Sequence, residues 1–280
     1  MKNGFAIFFA AFVVLGGSWC AFVLAPELQL GGAKQTSVLN SSDVYPVQRS
    51  GDATLGLQVY RANGCAACHT EQVQQEGISF NVVVISEGKN PAAVISAMGV
   101  TEKEFLFGLN KDTADKISDR ITAAGGKTEI HVNATGPDIS RGWGLRHSVA
   151  EDFLYDYPVQ SGSLRAGPDL AGVGARLPDA NWQLLHLYAP RSVVKDSVMP
   201  AFKFLFDVRK INGVPSPDAL EIPLTQQRNE FAPPAGYEII PTEDAKNLAA
   251  YLLSLHADVP LYDAPFTSLA ASTNAPAKKP

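Results

Sequence analysis

Gly64-Cys65-Ala66-Ala67-Cys68-His69, reached through Leu55-Gly56-Leu57-Gln58-Val59-Tyr60-Arg61-Ala62-Asn63, is the stretch that decides the fold. CxxCH is the attachment pentad of a c-type haem: two thiols three positions apart each take one vinyl group, and the adjacent histidine is placed to ligate the iron. One covalently attached haem c on Cys65 and Cys68, with His69 as an axial ligand, is therefore the expectation. A dithiol redox pair uses the same CxxC but wants a strand before it and a helix N-terminus beneath it. Residues 55–64 instead read as an amphipathic helix running into a glycine turn. A zinc site would need further Cys or His ligands, and the remaining cysteine, Cys20, lies in an apolar N-terminal run.

That run extends from Gly4 to Ala25, 22 residues without a charge. As a helix it reaches about 33 Å, enough for a hydrocarbon core of ~30 Å. A signal peptide would have a shorter apolar region and a small-x-small cleavage site, which is not evident here. Trp19 is too bulky to precede a lipidated cysteine at position 20. An uncleaved anchor over 1–25 is expected, followed by a Pro, Gly and Ser-containing linker over 26–50 and a disordered tail over 263–280. Lys2 before the span is a weak positive-inside cue. Haem attachment outside the cytoplasmic membrane is the stronger one, and it puts the N-terminus in and the globular part out. The 280 residues, 46% hydrophobic, allow one or two sizeable cores, and a net charge of −5 makes nucleic acid an unexpected partner.

A haem iron that only relays electrons needs a second axial ligand. Met199, in Ser197-Val198-Met199-Pro200-Ala201-Phe202, fits, with Pro200 stiffening the loop; a core-filling methionine is the alternative. Met1 is the terminus and Met98 falls in a separate segment. Among the histidines His131, His147, His186 and His256, the best rival ligand is His186, although a helix position near the haem edge suits it better. In Arg165-Ala166-Gly167-Pro168-Asp169-Leu170, the Pro168 carbonyl is free to accept the Nδ1–H of His69, or the segment is a plain turn. Arg165 is counted with Pro168 among the cofactor-binding positions. Arg165, Arg176 and Arg191 could neutralise propionates or be solvated surface charges. A last helix from Thr242 to His256, with an N-cap and acidic first turn, should pack on the helix before CxxCH.

Met199 lies 130 positions beyond His69, so something is inserted. Phe80–Ser86 is strand-like, Pro91–Gly99 and Thr101–Asn110 read as short helices, Asp112–Ala124 as a helix, and Thr128–Val132 as a strand. The two ends of this α+β insert, over 78–135, should lie close together. In VVVISEGKNPAAVISAMG and ADKISDRITAAGGKTEIHV it resembles the C-terminal domain of the bacterial ribosomal stalk protein, departing at TEKEFLFGLN.

The run SRGWGLRHSVAEDFLYDYPVQSGSLRAGPDLAGVGARLPDANWQLLHLYAPRSVVKDSVMPAFKFLF, after an anchor and GCAACHTEQVQ, resembles the FixO-type monohaem membrane subunit of C-family (cbb-type) haem–copper oxidases. The resemblance implies a mainly α fold: an N-terminal transmembrane helix plus a class I cytochrome c-like haem domain over 51–77 and 136–262, interrupted by the insert. It implies Cys65, Cys68, His69 and Met199 as haem-binding positions. The implied partners are a membrane-embedded haem–copper catalytic subunit, other cytochrome c subunits, a soluble cytochrome c-type donor and membrane lipid. The expected location is the bacterial inner membrane, single-pass, with the haem domain on the periplasmic side. The chain would transfer single electrons without itself making or breaking a substrate bond. A haem sensor, or a small redox enzyme with an open coordination site, is the alternative.

Overall fold

The computed structural model describes residues 3–98, 106–222 and 231–267. Its elements are mostly helices, with three two-stranded antiparallel sheets among the described residues. The chain opens on α1 (Gly4–Trp19), one π-helical turn (Cys20–Leu24) and α2 (Ala25–Leu30). Pro26 has no N–H to continue the ordinary ladder, and Ala25 N–H reaches back to the Cys20 carbonyl across a widened turn. The 26-residue run Gly4–Gln29 is long and apolar enough to cross a membrane, by length and composition, and none of its apolar window is buried in the rest of the protein.

Residues 31–35 connect this helix to a hairpin of β1 (Thr36–Ser37) and β2 (Val44–Tyr45). From there the expected spacer is docked. Leu39 N–H donates to the Pro260 carbonyl at 2.9 Å, Arg49 pairs with the buried Asp156, and buried Tyr45 lies under the Arg146 guanidinium, 5.6 Å from its carbon. Arg146 is itself fully buried. It donates to Asp152 at 2.7 and 3.0 Å, to the Val259 carbonyl at 2.6 Å and to the His147 carbonyl at 2.9 Å, so its charge and donors are satisfied.

Helix α3 (Gly51–Ala62) starts where the Ser50 hydroxyl accepts the Ala53 N–H, a cap that stabilises by about 1 kcal/mol. Beyond the haem motif the chain leaves for the insert, built from β3 (Gly77–Ser86), α4 (Pro91–Met98), α5 (Lys111–Ala123) and β4 (Lys127–Thr135). Gly77 pairs with Thr135, which brings the two ends of the insert together. Phe80, Val82 and Val84 share one sheet face with Val132, Ile130 and Thr128, and that face packs on Val94, Ile117 and Ile121. Asn81 and His131 fall on the other face, as the period of two requires. Of the helix expected over Thr101–Asn110, residues 101–105 lie outside the described residues. Leu109 forms an antiparallel bridge to Phe80 in place of helix, because an apolar residue beside an open strand edge completes the sheet.

The chain returns through α6 (Pro137–Ser140), α7 (Val173–Arg176), α8 (Ala180–Tyr188) and α9 (Pro190–Val193), then pairs β5 (Phe206–Lys210) with β6 (Tyr237–Pro241). Helix α10 (Glu243–Leu253) begins at an N-cap, the Thr242 hydroxyl accepting the Ala245 N–H, with Glu243 and Asp244 in its first turn. It crosses α3 where Gly56 lies against the Asn247 carbonyl, so closely that a Cβ at Gly56 would collide with it. The Tyr60 and Tyr251 rings meet beside the crossing at 5.2 Å. Leu57, Leu170, Leu185, Leu248 and Leu252 join this crossing in one core, separate from that of the insert. The first residues of the expected tail are held: Ala264 is buried, and Thr267 exchanges two 2.8 Å bonds with Val132 on the edge of β4. Residues 268–280 lie outside the described residues.

Candidate functional site

Helix α3 delivers the CxxCH stretch by ending at Asn63 and turning through Gly64 into a 3-10 turn, Cys65–Ala67, with His69 N–H bonded to the Cys65 carbonyl at 3.0 Å. The returning segment runs alongside it. Gly167 N–H donates to the Cys68 carbonyl at 2.9 Å and Leu170 N–H to the Thr70 carbonyl at 2.7 Å. Between these two bonds His69 Nδ1 lies 2.8 Å from the Pro168 carbonyl oxygen. With that acceptor in place Nδ1 carries the proton and Nε2 is left as the lone-pair nitrogen. Gly167 has the His69 ring against it, and a Cβ there would overlap the imidazole.

His69 forms one wall of an open, largely apolar cleft. Cys65, Arg176, Trp182, His186 and Met199 line it as well, while Cys68 is exposed. Met199 thus shares the cleft with His69. Its N–H donates to the Ser197 hydroxyl at 3.3 Å, and Arg191 Nε holds the Ser197 carbonyl at 3.2 Å, bracing that loop. Met98 fills the core of the insert. Burial pushes the Cys65 thiol up to about 11. An exchange-active dithiol needs the opposite shift, so the local chemistry disfavours thiol–disulfide exchange.

Of the histidines other than His69, His186 reaches the cleft. It stacks on Trp182 at 4.9 Å and 8°, and burial, with a contribution from nearby His69, pushes it down to about 4. Its Nδ1 is buried without a hydrogen-bond partner among the described residues. His131, His147 and His256 lie elsewhere, beside Glu129, Gln75 and Asp258.

The arginines divide. Arg165 donates to Asp138 at 2.6 Å and to the Gln72 carbonyl at 2.5 Å, lies 3.9 Å from Asp169, and stands outside the cleft lining. Arg176 lines the cleft and donates to the Asp169 and Gly142 carbonyls at 3.0 and 3.4 Å. Among the described residues it has no carboxylate within ion-pair distance, and burial lowers its pKa. Sequence reasoning missed Glu71, buried just past the motif, whose carboxylate accepts the Tyr251 hydroxyl at 2.8 and 2.9 Å. Burial raises Glu71 to about 8, and nothing in its neighbours in sequence announces this.

The residues lining the cleft fit a haem: its walls are largely apolar, His69 is held as a lone-pair donor, and His186 Nδ1 on the wall is buried without a hydrogen-bond partner among the described residues. One stretch, residues 134–221, supplies most of the residues that line the cleft. These residues match the family model of the cytochrome C oxidase, mono-heme subunit/FixO. That family implies one haem and a place in a cytochrome c oxidase complex. The match includes Arg165, Pro168, Arg176, His186 and Met199, and stops short of the CxxCH stretch. No curated protein matches the chain.

Proposed function

We propose that this protein is a membrane-anchored c-type cytochrome that passes single electrons from a soluble donor to the catalytic subunit of a cbb-type haem–copper oxidase. The observation that carries the reading is the 2.8 Å approach of His69 Nδ1 to the Pro168 carbonyl, because it gives CxxCH an oriented histidine facing the cleft that also contains Met199. The crossing of α3 on α10 beside the motif supports a class I cytochrome c-like domain. The match at residues 134–221 supports the oxidase assignment.

In this reading Cys65 and Cys68 would hold the haem covalently, His69 and Met199 would ligate its iron, and Arg176 and His186 would be the polar groups on the cleft wall available to its acidic groups. Bound there, the haem supplies a one-electron iron couple. The chain's own residues keep the His69 proton on Nδ1, press Gly167 against the ring, exclude water with Leu170, Val173, Leu187 and Leu252, and hold the Met199 loop through Ser197 and Arg191. The helix Gly4–Gln29 anchors the domain. Attachment chemistry outside the cytoplasmic membrane places the domain on the periplasmic side.

The test is production of the full chain in cells that mature c-type haem, with a haem-stained denaturing gel and optical spectra. Haem that survives denaturation, is lost in Cys65→Ala/Cys68→Ala, and is low-spin is the expected result. High-spin ferric haem with rapid carbon monoxide binding overturns the electron-relay reading in favour of a small redox enzyme or sensor. Absence of covalent haem overturns it altogether.

A further inference from the structure

We infer that Asp169, which follows Pro168, is a positioning residue: its side chain fixes the Pro168 carbonyl against His69, and its charge lowers the potential of the iron that His69 would ligate. This rests on the haem reading above. Asp169 is fully buried. Its Oδ2 accepts the Thr70 hydroxyl at 2.6 Å and the Gln72 N–H at 2.8 Å, and its Oδ1 accepts the Ala171 N–H at 2.9 Å. Every partner is a donor, which is the environment of a carboxylate.

A plain Asx turn accounts for the bond to Ala171, two residues on. It does not account for the bonds to Thr70 and Gln72, 99 and 97 positions away in the chain. Thr70 directly follows His69, and Gln72 lies three positions after it. Pro168 has no N–H with which to tie itself to the facing strand, so its register must come from its neighbours. Gly167 supplies one bond, to Cys68, and Leu170 another, to Thr70. Asp169 supplies the two side-chain bonds that close the pairing over 70–72.

The charge acts in the same place. Arg165 lies 3.9 Å from Oδ2 and is shared with Asp138, and the Arg176 guanidinium contacts the Asp169 carbonyl at 3.0 Å. Removing the Asp169 carboxylate takes away a negative charge that acts on the His69 ring and leaves Arg176, which acts on the same ring, less compensated. A ferric centre carries one more positive charge than a ferrous one, so it is disfavoured and the potential rises.

The experiment compares the haem-loaded full chain with Asp169→Asn and Thr70→Val. It reads the midpoint potential, the methionine–iron absorption band, and the exchange rate of the His69 Nδ1 proton in the reduced protein by NMR. Asp169→Asn is expected to raise the potential with the band retained and to speed exchange. Thr70→Val, which loosens the clamp and keeps the charge, is expected to speed exchange without raising the potential. An unchanged potential in haem-loaded Asp169→Asn overturns the inference. If that variant does not accumulate, Thr70→Val decides, and exchange as slow as in the unmodified chain overturns it. A parent chain without covalent haem on the stained gel overturns the functional reading and this inference with it, an outcome distinct from a haem-loaded chain whose potential does not move.

Discussion

The His69 ring and the Pro168 carbonyl meet at 2.8 Å across 99 positions of chain, with the whole insert folded between them. The insert does not disturb that meeting, because its strands leave and re-enter as neighbours at Gly77 and Thr135, and the core around the α3–α10 crossing closes without it.

If Met199 is the second axial ligand, Met199→Ala removes the methionine–iron band and lowers the potential by an amount on the order of tenths of a volt, well inside the ~0.8 V range that axial ligands span. A redox titration followed optically checks it. An unchanged band and potential would return Met199 to the role of core filler.

Gly167→Ala places a methyl group where the His69 imidazole lies. The ring must tilt or the backbone must shift, at a cost of roughly 1–3 kcal/mol, typical of overpacking. Reduced haem incorporation and a lower midpoint in chemical denaturation are expected. Both are read from the same purified samples.

Glu71 gives a pH dependence with a definite sign. Burial keeps its carboxyl protonated in the folded chain up to about pH 8, whereas the unfolded chain releases that proton near the ordinary value of about 4.3. Unfolding therefore releases a proton between these values. The stabilisation is fully present below the lower value and is lost as pH rises through the upper one, amounting to a few kcal/mol at most because Arg49 opposes the shift. Glu71→Gln should flatten this slope in denaturation curves measured from pH 5 to 8. An equal slope in both proteins would exclude Glu71 as its source.

Deleting residues 4–29 should move the protein from the carbonate-washed membrane fraction to the soluble fraction. Full-length chain released by the same wash would show that the Gly4–Gln29 helix does not span.

Local signals carried far in this chain. Ser50 and Thr242 cap the two helices that cross, Asn110 caps α5, and the alternation at Phe80, Val82 and Val84 matches the face packed on the insert helices. Strand ends were harder to place, since β3 starts at Gly77 and β4 runs to Thr135 by pairing with each other, not by composition. What sequence could not show was long-range polar pairing. Arg165, expected at the cofactor, is instead taken by Asp138 and Gln72, 27 and 93 positions away, and Glu71 meets its buried partner Tyr251 180 positions on. The segment 36–50 read as a spacer because polar, Gly- and Pro-containing stretches usually are, yet Tyr45, Arg49 and Leu39 each find a partner beyond position 140.

That docked hairpin, with Gln35 donating to the Pro46 carbonyl at 2.9 Å, leaves residues 31–34 as the connector between the apolar helix and the folded body. Four residues stretch to about 14 Å at full extension. On the proposed reading as a membrane-anchored electron carrier, a head on so short a stalk would work as a fixed terminal and not as a shuttle: it could not ferry its charge between distant stations, so whatever delivers electrons would have to travel to it, and whatever takes them would have to stand alongside.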